Sequence, residues 1–263
     1  MKKIKVISGW VIVIAYLIVS LSFVEKKNTA ITCNKVNIFI LDSVYNGFVS
    51  KNDLLQIVNK HYGHVIGSGL SSINTEILEK AVLENRAIKE CKIYKTADGS
   101  LNIEILQRQP VLRIINSQNL SYYMDSEGYI IPFSTIQTPD VIIANGFIHE
   151  NIPINTGKQH NISDFDIPGK ENILRDLHSL STYIYNDPFW KAQFVQIYVN
   201  KKEELELIPR VGAHIIVLGK VDGYEKKFQK LKTLYVKGFN NIGWNEYEYI
   251  NLKYKNQVIC SKR

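Results

Sequence analysis

The sequence predicts an α+β protein with one apolar helix at its N-terminus and two consecutive domains behind it. Three observations lead to this prediction: an uncharged apolar run near the start, a β-α-α-β-β order of elements, and a longer C-terminal part made mainly of short strands. Helices and strands that follow one another in blocks are typical of α+β folds. With 263 residues and 45% hydrophobic content, the chain is long and apolar enough to form packed cores.

The apolar run covers residues 6–24 and contains no charged side chain over 19 residues. As a helix it would be about 28 Å long, which is close to the thickness of a bilayer hydrocarbon core of about 30 Å. We therefore predict a single transmembrane helix. A cleaved signal peptide is the alternative, because Ser20, Leu21 and Ser22 form a weak small-x-small cleavage pattern.

The charges around this helix predict its orientation. Three lysines precede the run and two follow it, which favours an N-terminus in the cytoplasm. The predicted organisation is then a cytoplasmic stub at 1–5, the helix at 6–24, a linker at 25–34, a first domain at 35–109 and a second domain at 110–263. Whether the apolar run is a transmembrane helix or a cleaved signal peptide, we expect both domains to lie outside the cytoplasm.

The first domain begins with a strand and a helix. An apolar stretch at 36–41 predicts the strand. Ser50 followed by Asp53 has the spacing of a helix capping box, and apolar residues recur behind it at helical spacing.

The first domain continues with a second helix and a hairpin. Asn74 or Thr75 can cap the helix. Its apolar face is predicted to contain Ile77, Leu78, Ala81 and Val82. Strands are predicted at 88–95 and 101–105, because the Asp-Gly pair between them is typical of a hairpin turn.

The second domain is predicted to be mostly antiparallel β with two helices. Short apolar runs alternate with turn sequences rich in Asn, Asp, Ser and Gly. The helices are predicted at 171–185 and 224–236, and the last two strands at 247–254 and 257–260. Three strands between the helices are predicted at 194–199, 205–209 and 214–218.

The sequence contains no constellation typical of catalysis, of cofactor binding or of a metal site. His61 and His64 have a spacing that could seat two metal ligands, but no third ligand lies nearby in the sequence. Cys33, Cys91 and Cys260 are too few for a disulfide framework, although the first two could pair in an oxidising compartment. We therefore predict a protein that is not an enzyme and has no cofactor.

Nucleic acid is also not an expected partner. Lysines and aromatic residues interleave between residues 220 and 237, as they do in many nucleic-acid-binding segments. A solvated helix face is the better interpretation of this pattern, because binding to a phosphate backbone is not an expected role for a domain outside the cytoplasm.

Several segments together carry a resemblance to a known family. Residues 88–92, 101–104 and 107–111 (QRQPV) resemble a POTRA domain whose last strand runs into an Arg-x-Pro-Val junction. Residues 122–128 (YYMDSEG) resemble an aromatic-x-Asp-x-x-Gly hairpin, and residues 250–254 (INLKY) resemble an Ile-Asp-Leu-Arg-Tyr pattern. In this order, and behind one membrane helix, these features resemble the bacterial cell-division proteins of the FtsQ/DivIB family. Asn251 and Lys253 replace that family's usual Asp and Arg.

The resemblance implies a POTRA-like first domain and a non-enzymatic bitopic scaffold of the divisome, which connects early and late division proteins at the septum. It also implies partners: FtsB/DivIC-like and FtsL-like bitopic coiled-coil proteins, together with other membrane proteins of the divisome. The alternative is a processed extracytoplasmic envelope enzyme, a hydrolase of unknown substrate. A chaperone of outer-membrane proteins ranks last, because the sequence resembles neither a barrel nor tandem POTRA modules.

The partner-binding site is predicted in the C-terminal strands. Ile250, Leu252 and Tyr254 alternate with polar residues, as in a half-buried strand. At a sheet edge, such a hairpin could pair with an extended partner segment by β-augmentation, while Lys253 and Lys255 would disfavour self-pairing and attract an acidic partner. Alternatively, these strands only close the sheet. The predicted partner-binding residues are Ile250, Asn251, Leu252, Lys253, Tyr254, Lys255, Asn256, Gln257 and Val258.

The net charge of +7 is unevenly distributed along the chain. Residues 1–27 carry +4 and residues 219–263 carry +6, whereas the part between them carries −3. The protein is therefore nearly neutral with two basic ends, and the second basic end coincides with the predicted partner-binding hairpin.

Overall fold

The fold is built around two separate β-sheets, one of three strands and one of nine, within the part of the chain that the structure describes. The structure is a computed structural model, and it describes residues 10, 13–19, 31–42, 47–134, 137–150, 152–153, 158–169, 171–239 and 243–263. The chain divides into two compact units, Met1–Gln107 and Arg108–Arg263.

The predicted transmembrane helix is described only in part. Residue 10 and residues 13–19 are helical, and the other positions of the predicted span at 6–24 lie outside the described residues, as do the stub at 1–5 and most of the linker at 25–34. Among the residues that are described, no helix combines the length and the apolarity needed to cross a membrane. The transmembrane helix stays a prediction.

The first unit has the predicted β-α-α-β-β order of elements. Its strands and helices are β1 (Lys35–Ile40), α1 (Lys51–Tyr62), α2 (Thr75–Leu83), β2 (Ile88–Lys95) and β3 (Ser100–Gln107), with a short 3-10 turn at Leu70–Ser72. Strand β3 lies in the centre of the sheet, parallel to β1 and antiparallel to β2. Leu101, Ile103 and Ile105 are fully buried as their alternation predicts, while Asn102 on the other face is also buried because its side chain bonds to Asn37 and Thr96 of the neighbouring strand and turn.

Both helices of the first unit begin at the predicted caps. The hydroxyl of Ser50 accepts a hydrogen bond from the backbone N–H of Asp53 at 3.2 Å, and the Asp53 carboxylate accepts one from the Ser50 N–H at 2.8 Å. The side chain of Asn74 accepts from the N–H of Ile77 at 3.2 Å. These contacts satisfy N–H groups that have no partner inside a helix.

The predicted apolar face of α2 is right at three positions and wrong at one. Leu78, Ala81 and Val82 are buried, but Ile77 is 50% exposed. Ile77 lies in the first turn of the helix, one residue before Leu78. Adjacent helical residues point about 100° apart, so the face that buries Leu78 turns Ile77 toward solvent.

The second unit contains a mixed sheet and three α-helices among its described residues. The first strands are β4 (Pro110–Ile115), β5 (Ser121–Asp125), β6 (Ile130–Pro132) and β7 (Ile142–Gly146). The later strands are β8 (Phe194–Val199), β9 (Leu205–Pro209), β10 (Ile215–Gly219), β11 (Tyr247–Asn251) and β12 (Ile259–Lys262). The helices are α3 (Ile173–Asn186), α4 (Pro188–Gln193) and α5 (Tyr224–Thr233), which continues into a π-helix at Leu234–Gly238; a 3-10 turn spans Ile162–Phe165.

The nine strands lie in the order β12-β11-β10-β9-β8-β7-β4-β5-β6. Five neighbouring pairs are antiparallel and three, β4–β7, β7–β8 and β10–β11, are parallel. Strands β4, β7, β8, β10 and β11 therefore all run in the same direction. The predicted α+β class is confirmed, and the sheet is antiparallel at most of its pairs, as predicted, but mixed because three pairs are parallel.

Helices α3 and α5 pack on one face of this sheet. Leu174, Leu177 and Leu180 of α3 and Phe228 and Leu231 of α5 belong to a single buried cluster with the inward residues of the strands. Helix α4 was not predicted, because six residues are too few to show helical periodicity. Its start does carry a signal: Asp187 caps the helix and Pro188 occupies the first turn, where proline is favoured.

Candidate functional site

The predicted partner-binding residues lie in and after β11, the second strand from one edge of the large sheet. Strand β11 pairs in parallel with β10, where Ile216 faces Ile250, and antiparallel with β12, where Cys260 faces Ile250. The backbone of Ile250 and Asn251 therefore lies between two strands. The strand that faces outward is β12, which has no further strand beside it among the described residues.

The predicted strand at 247–254 is too long. It ends at Asn251, and residues 252–258 form an irregular connection to β12. Ile250 and Leu252 are buried as predicted, and the N–H of Leu252 still donates to the carbonyl of Val217 at 2.9 Å. Tyr254 was predicted on the same face but is 47% exposed, because the chain bends away from the sheet after Leu252.

The side chain of Lys253 is exposed but is held against the surface of the unit by an ion pair. Its ammonium donates a hydrogen bond to the carboxylate of Glu204 at 2.6 Å. The aliphatic part of its side chain crosses Gly219, whose φ is +79° and whose missing Cβ would lie 2.8 Å from Lys253 Cγ. The hydrogen bond from Lys253 is the main cause that lowers the pKa of Glu204.

The rest of the connection is tied to helix α5 by its backbone. The ammonium of Lys230 donates to the carbonyl of Tyr254 at 2.6 Å and reaches the carbonyl of Lys255 at 3.5 Å. Lys255, Asn256 and Gln257 are exposed, whereas Val258 packs partly against the core. The connection thus presents polar side chains and the Tyr254 ring to solvent from a fixed backbone.

Strand β12 is the exposed edge of the sheet. Ile259, Ser261 and Lys262 are exposed, while Cys260 is half-buried and its pKa is raised by burial. The guanidinium of Arg263 donates to the carbonyl of Ala213 at 3.0 Å. This contact fixes the far end of the strand, so that the edge is ordered over its whole length.

An aromatic cluster anchors the opposite end of this hairpin. It consists of His214, Tyr235, Phe239, Trp244 and Tyr247, whose rings lie about 5 to 6 Å from their neighbours. His214 Nε2 lies 3.0 Å from the Tyr235 hydroxyl, and burial lowers the pKa of the imidazole. Tyr247 is the first residue of β11, so the cluster fixes where the hairpin starts.

Two further segments that carried the family resemblance meet in the structure. The guanidinium of Arg108 donates to the carboxylate of Asp125 at 2.6 Å and stacks 3.8 Å from the ring centroid of Tyr129. The other carboxylate oxygen of Asp125 accepts from the N–H groups of Glu127 and Tyr129 at 3.0 and 2.8 Å. Both motifs are visible in the sequence but their contact is not, because nothing in the spacing of residues 108 and 125 indicates that they pair.

The histidines and cysteines considered as metal ligands or reactive groups do not come together in a site. Within the described part of the chain, no group of three or more His, Cys, Asp or Glu side chains is arranged to hold a metal ion. His61 and His64 stand at the end of α1 and just after it. Cys33, Cys91 and Cys260 are all free thiols. Burial and the nearby Glu79 carboxylate raise the pKa of Cys91 to about 12, which disfavours the reactive thiolate.

Comparison with known protein families assigns both units. The FtsQ/DivIB, C-terminal related, family model matches residues 109–261, and a POTRA-like domain model matches residues 31–106. No curated protein matches the chain. The two matches place the chain in the class of proteins in which a POTRA-like domain precedes an FtsQ/DivIB-related C-terminal domain.

Within that class, the chain belongs to the FtsQ/DivIB family of cell-division proteins. The domains of this family are non-catalytic division scaffolds, and its members are septal membrane proteins. The family membership predicted from the sequence is therefore confirmed, and the role of a cell-division scaffold that associates with other division proteins follows from it.

Proposed function

We propose that the chain is a single-pass membrane scaffold of the divisome that links early and late division proteins at the septum. Its N-terminus would lie in the cytoplasm and both units outside it. It would bind FtsB/DivIC-like and FtsL-like coiled-coil proteins by β-augmentation at the C-terminal strands. The single observation that supports this mechanism best is that β12 forms an ordered edge of the nine-stranded sheet with no strand beside it among the described residues.

An open edge can bind an extended segment through its backbone. Every second residue of an edge strand directs its N–H and C=O groups away from the sheet, where a partner strand can pair with them. In this mechanism, main-chain hydrogen bonds from β12 provide affinity. The buried residues Ile250 and Leu252 do not touch the partner but hold the hairpin against the core.

Side chains beside the edge would select the partner. The exposed ring of Tyr254 offers an apolar contact at the start of the docking strand. Lys255 lies next to Tyr254 in the connection, Lys262 and Arg263 add positive charge at the other end of β12, and the carboxylate of Glu204 is engaged by Lys253. An extended partner segment with acidic residues fits this surface, because opposite charges speed and orient association.

The mechanism is tested by measuring binding of the purified full chain to the FtsB/DivIC-like protein of the same bacterium. Ile259→Pro and Cys260→Pro are compared, since neighbouring residues of a strand direct their N–H groups to opposite sides. The proline that removes an outward N–H is expected to abolish binding and leave the unfolding midpoint nearly unchanged. The other proline is expected to lower stability by breaking a bond to β11.

Tyr254→Ala gives the side-chain test. We expect it to weaken binding about tenfold or more, because an exposed aromatic ring that becomes buried at an interface often carries a large share of the affinity. Phe133→Ala is the matched control, since Phe133 is an exposed aromatic residue next to β6 at the opposite edge. Wild-type affinity in both the proline variants and Tyr254→Ala would exclude this docking edge.

The division role itself is tested by depletion of the protein followed by microscopy. Filaments or chains of undivided cells are expected. Normal division with an altered envelope composition would contradict the scaffold role and favour the envelope hydrolase.

A further inference from the structure

A cavity of about 220 Å³ opens in the second unit, away from the C-terminal hairpin. Its lining comes from residues at the starts of β4, β7 and β8, from helices α3 and α4, and from the residue that follows β9. Strands β4, β7, β8 and β11 run in the same direction, and residues 252–258 follow the last residue of β11. The cavity and the connection therefore lie at opposite ends of the strands, and the cavity is not part of the docking edge.

The inner wall of the cavity is apolar. Val111, Ile142, Ile184 and Phe194 form it, and each of these side chains is buried in the core of the unit. Phe194 is held in place by stacking on Trp190, with ring centroids 5.5 Å apart. The wall is therefore preformed. An apolar group that enters the cavity would be removed from water, and the core would not have to move to accommodate it.

The mouth of the cavity carries an excess of positive charge. Lys191 has no carboxylate within ion-pair distance among the described residues, and its ammonium instead lies 3.9 Å from the ring centroid of Tyr185. Arg210 and Asp140 are 4.0 Å apart and largely exposed, so that this pair is weak and its charges stay accessible. Two cations and one carboxylate thus surround an apolar opening.

The size of the cavity limits what can enter it. An α-helix with its side chains is about 10 to 12 Å wide and does not fit. One aromatic or branched aliphatic side chain does fit, while the residues beside it stay at the mouth. The cations there complement acidic neighbours, and the apolar wall complements the side chain itself.

We infer that this cavity is a second docking site, which takes one apolar side chain of a protein segment whose neighbouring residues are acidic. The segment would place the apolar side chain against Phe194 and Ile184 and its carboxylates beside Lys191 and Arg210. Because the cavity lies at the other end of the strands from the connection, a partner bound there and a partner bound at β12 would occupy separate surfaces. The chain would then hold two partners at the same time.

The test uses saturation-transfer NMR on the purified full chain with capped heptapeptides as probes. The first probe has an Asp-Phe-Glu centre, the second a Lys-Phe-Lys centre and the third an Asp-Ala-Glu centre. We expect transfer to the phenyl ring of the first probe. We expect affinity about tenfold lower for the third, which lacks the buried ring. Affinity for the second is expected to be about two- to fivefold lower, since each exposed ion pair contributes little.

Two kinds of variant assign this binding to the cavity. Val195→Trp fills the opening, and Val236→Trp is its matched control on an exposed valine of the π-helix. We expect the first to remove the transfer and the second to leave it unchanged. The double variant Lys191→Glu/Arg210→Glu leaves the apolar wall intact and is expected to reverse the preference toward the Lys-Phe-Lys probe.

The inference is wrong if the Asp-Phe-Glu probe shows no more transfer than the other two, or if the charge reversal leaves the order of the probes unchanged. Tyr254→Ala separates this site from the docking edge: it is expected to leave the transfer at its wild-type level. If the β12 variants bind the division partner like the wild type while the probes still bind the cavity, only the proposed function fails; if the probes do not bind while the β12 variants lose the partner, only the cavity proposal fails.

Discussion

The guanidinium of Arg108 and the carboxylate of Asp125 form a buried ion pair 2.6 Å long, which ties the first residue of the second unit to the turn between β5 and β6. Both side chains are only 5% exposed. The ring of Tyr129 covers the guanidinium, and the amide of Gln159 lies within hydrogen-bonding distance of it, at 2.9 and 3.0 Å. The entry of the chain into the large sheet is therefore fixed by one polar cluster.

Removing one partner of this pair is expected to destabilise the second unit strongly. Arg108→Ala leaves the Asp125 carboxylate buried without its cation, and we expect a loss of about 3 to 5 kcal/mol in the free energy of unfolding. Asp125→Asn is the informative comparison, since it keeps an oxygen for the N–H groups of Glu127 and Tyr129. Urea unfolding of both single variants and the double variant gives the coupling energy, and a value near zero would contradict the pair.

The buried imidazole of His214 is expected to make stability depend on pH. Burial lowers its pKa in the folded state below the ordinary value of 6.5, so the unfolded chain binds a proton more readily. Its contribution is then complete above the unfolded-state pKa and is lost as the pH falls toward the folded-state pKa.

The measurement compares the pH dependence of unfolding in the wild type and in His214→Phe. Between pH 7 and pH 5, we expect the wild type to lose up to about 1.4 kcal/mol per pH unit more than the variant, which is the limit for one proton. The variant also removes the partner of the Tyr235 hydroxyl, which shifts its stability by an amount that does not depend on His214 titration, so only the slope is diagnostic. Parallel curves would show that His214 does not titrate in this range.

A side chain at Gly219 is expected to displace Lys253 from Glu204. In Gly219→Ala the new Cβ would lie 2.8 Å from Lys253 Cγ, so the lysine must move. The pKa of Glu204 should then rise toward the ordinary value of about 4.3, which carboxyl NMR titration measures. Gly223→Ala is the control: its φ of +59° is similarly costly, but nothing lies within 4 Å of the new Cβ, and Glu204 should keep its lowered pKa.

Glu204 is expected to compete with an acidic partner for Lys253. Glu204→Gln removes the carboxylate that is paired with the Lys253 ammonium. Affinity for the FtsB/DivIC-like protein should then rise about two- to fivefold, which is the range of one exposed ion pair. The gain should disappear at high salt, which screens such pairs. Unchanged or weaker binding would mean that the partner does not use Lys253.

The sequence predicts best those elements whose local residue pattern agrees with their position and burial in the fold. Strand β2 at 88–95 matches its prediction, since a hairpin turn fixes one end and an apolar pattern the rest. Helix α3 buries Leu174, Leu177 and Leu180 as its periodicity indicates. The family was also recognisable, because short motifs occur in the right order along the whole chain.

Other features depend on contacts between distant residues and leave no local signal. The parallel pairing of β10 with β11 joins segments about 30 residues apart and makes β12, not β11, the exposed edge. The alternation at 250–254 looked like a continuing strand, but the carbonyls of Tyr254 and Lys255 are drawn to Lys230 on α5. The cavity near Phe194 is likewise formed by five segments of the chain, and no sequence pattern indicates that they come together.

The two edges of the large sheet differ in a way that limits self-assembly. Strand β6 has only three residues and ends at Pro132, and the N–H of Ile130 donates to the carbonyl of His160 at 2.9 Å. That edge is therefore short and already covered, whereas β12 is open. Among the described residues, a β6 edge of this kind is a poor partner for β12 of a second copy, so head-to-tail pairing through the large sheet is disfavoured. The open edge is thus better suited to one strand of a different protein than to a growing fibre of identical chains.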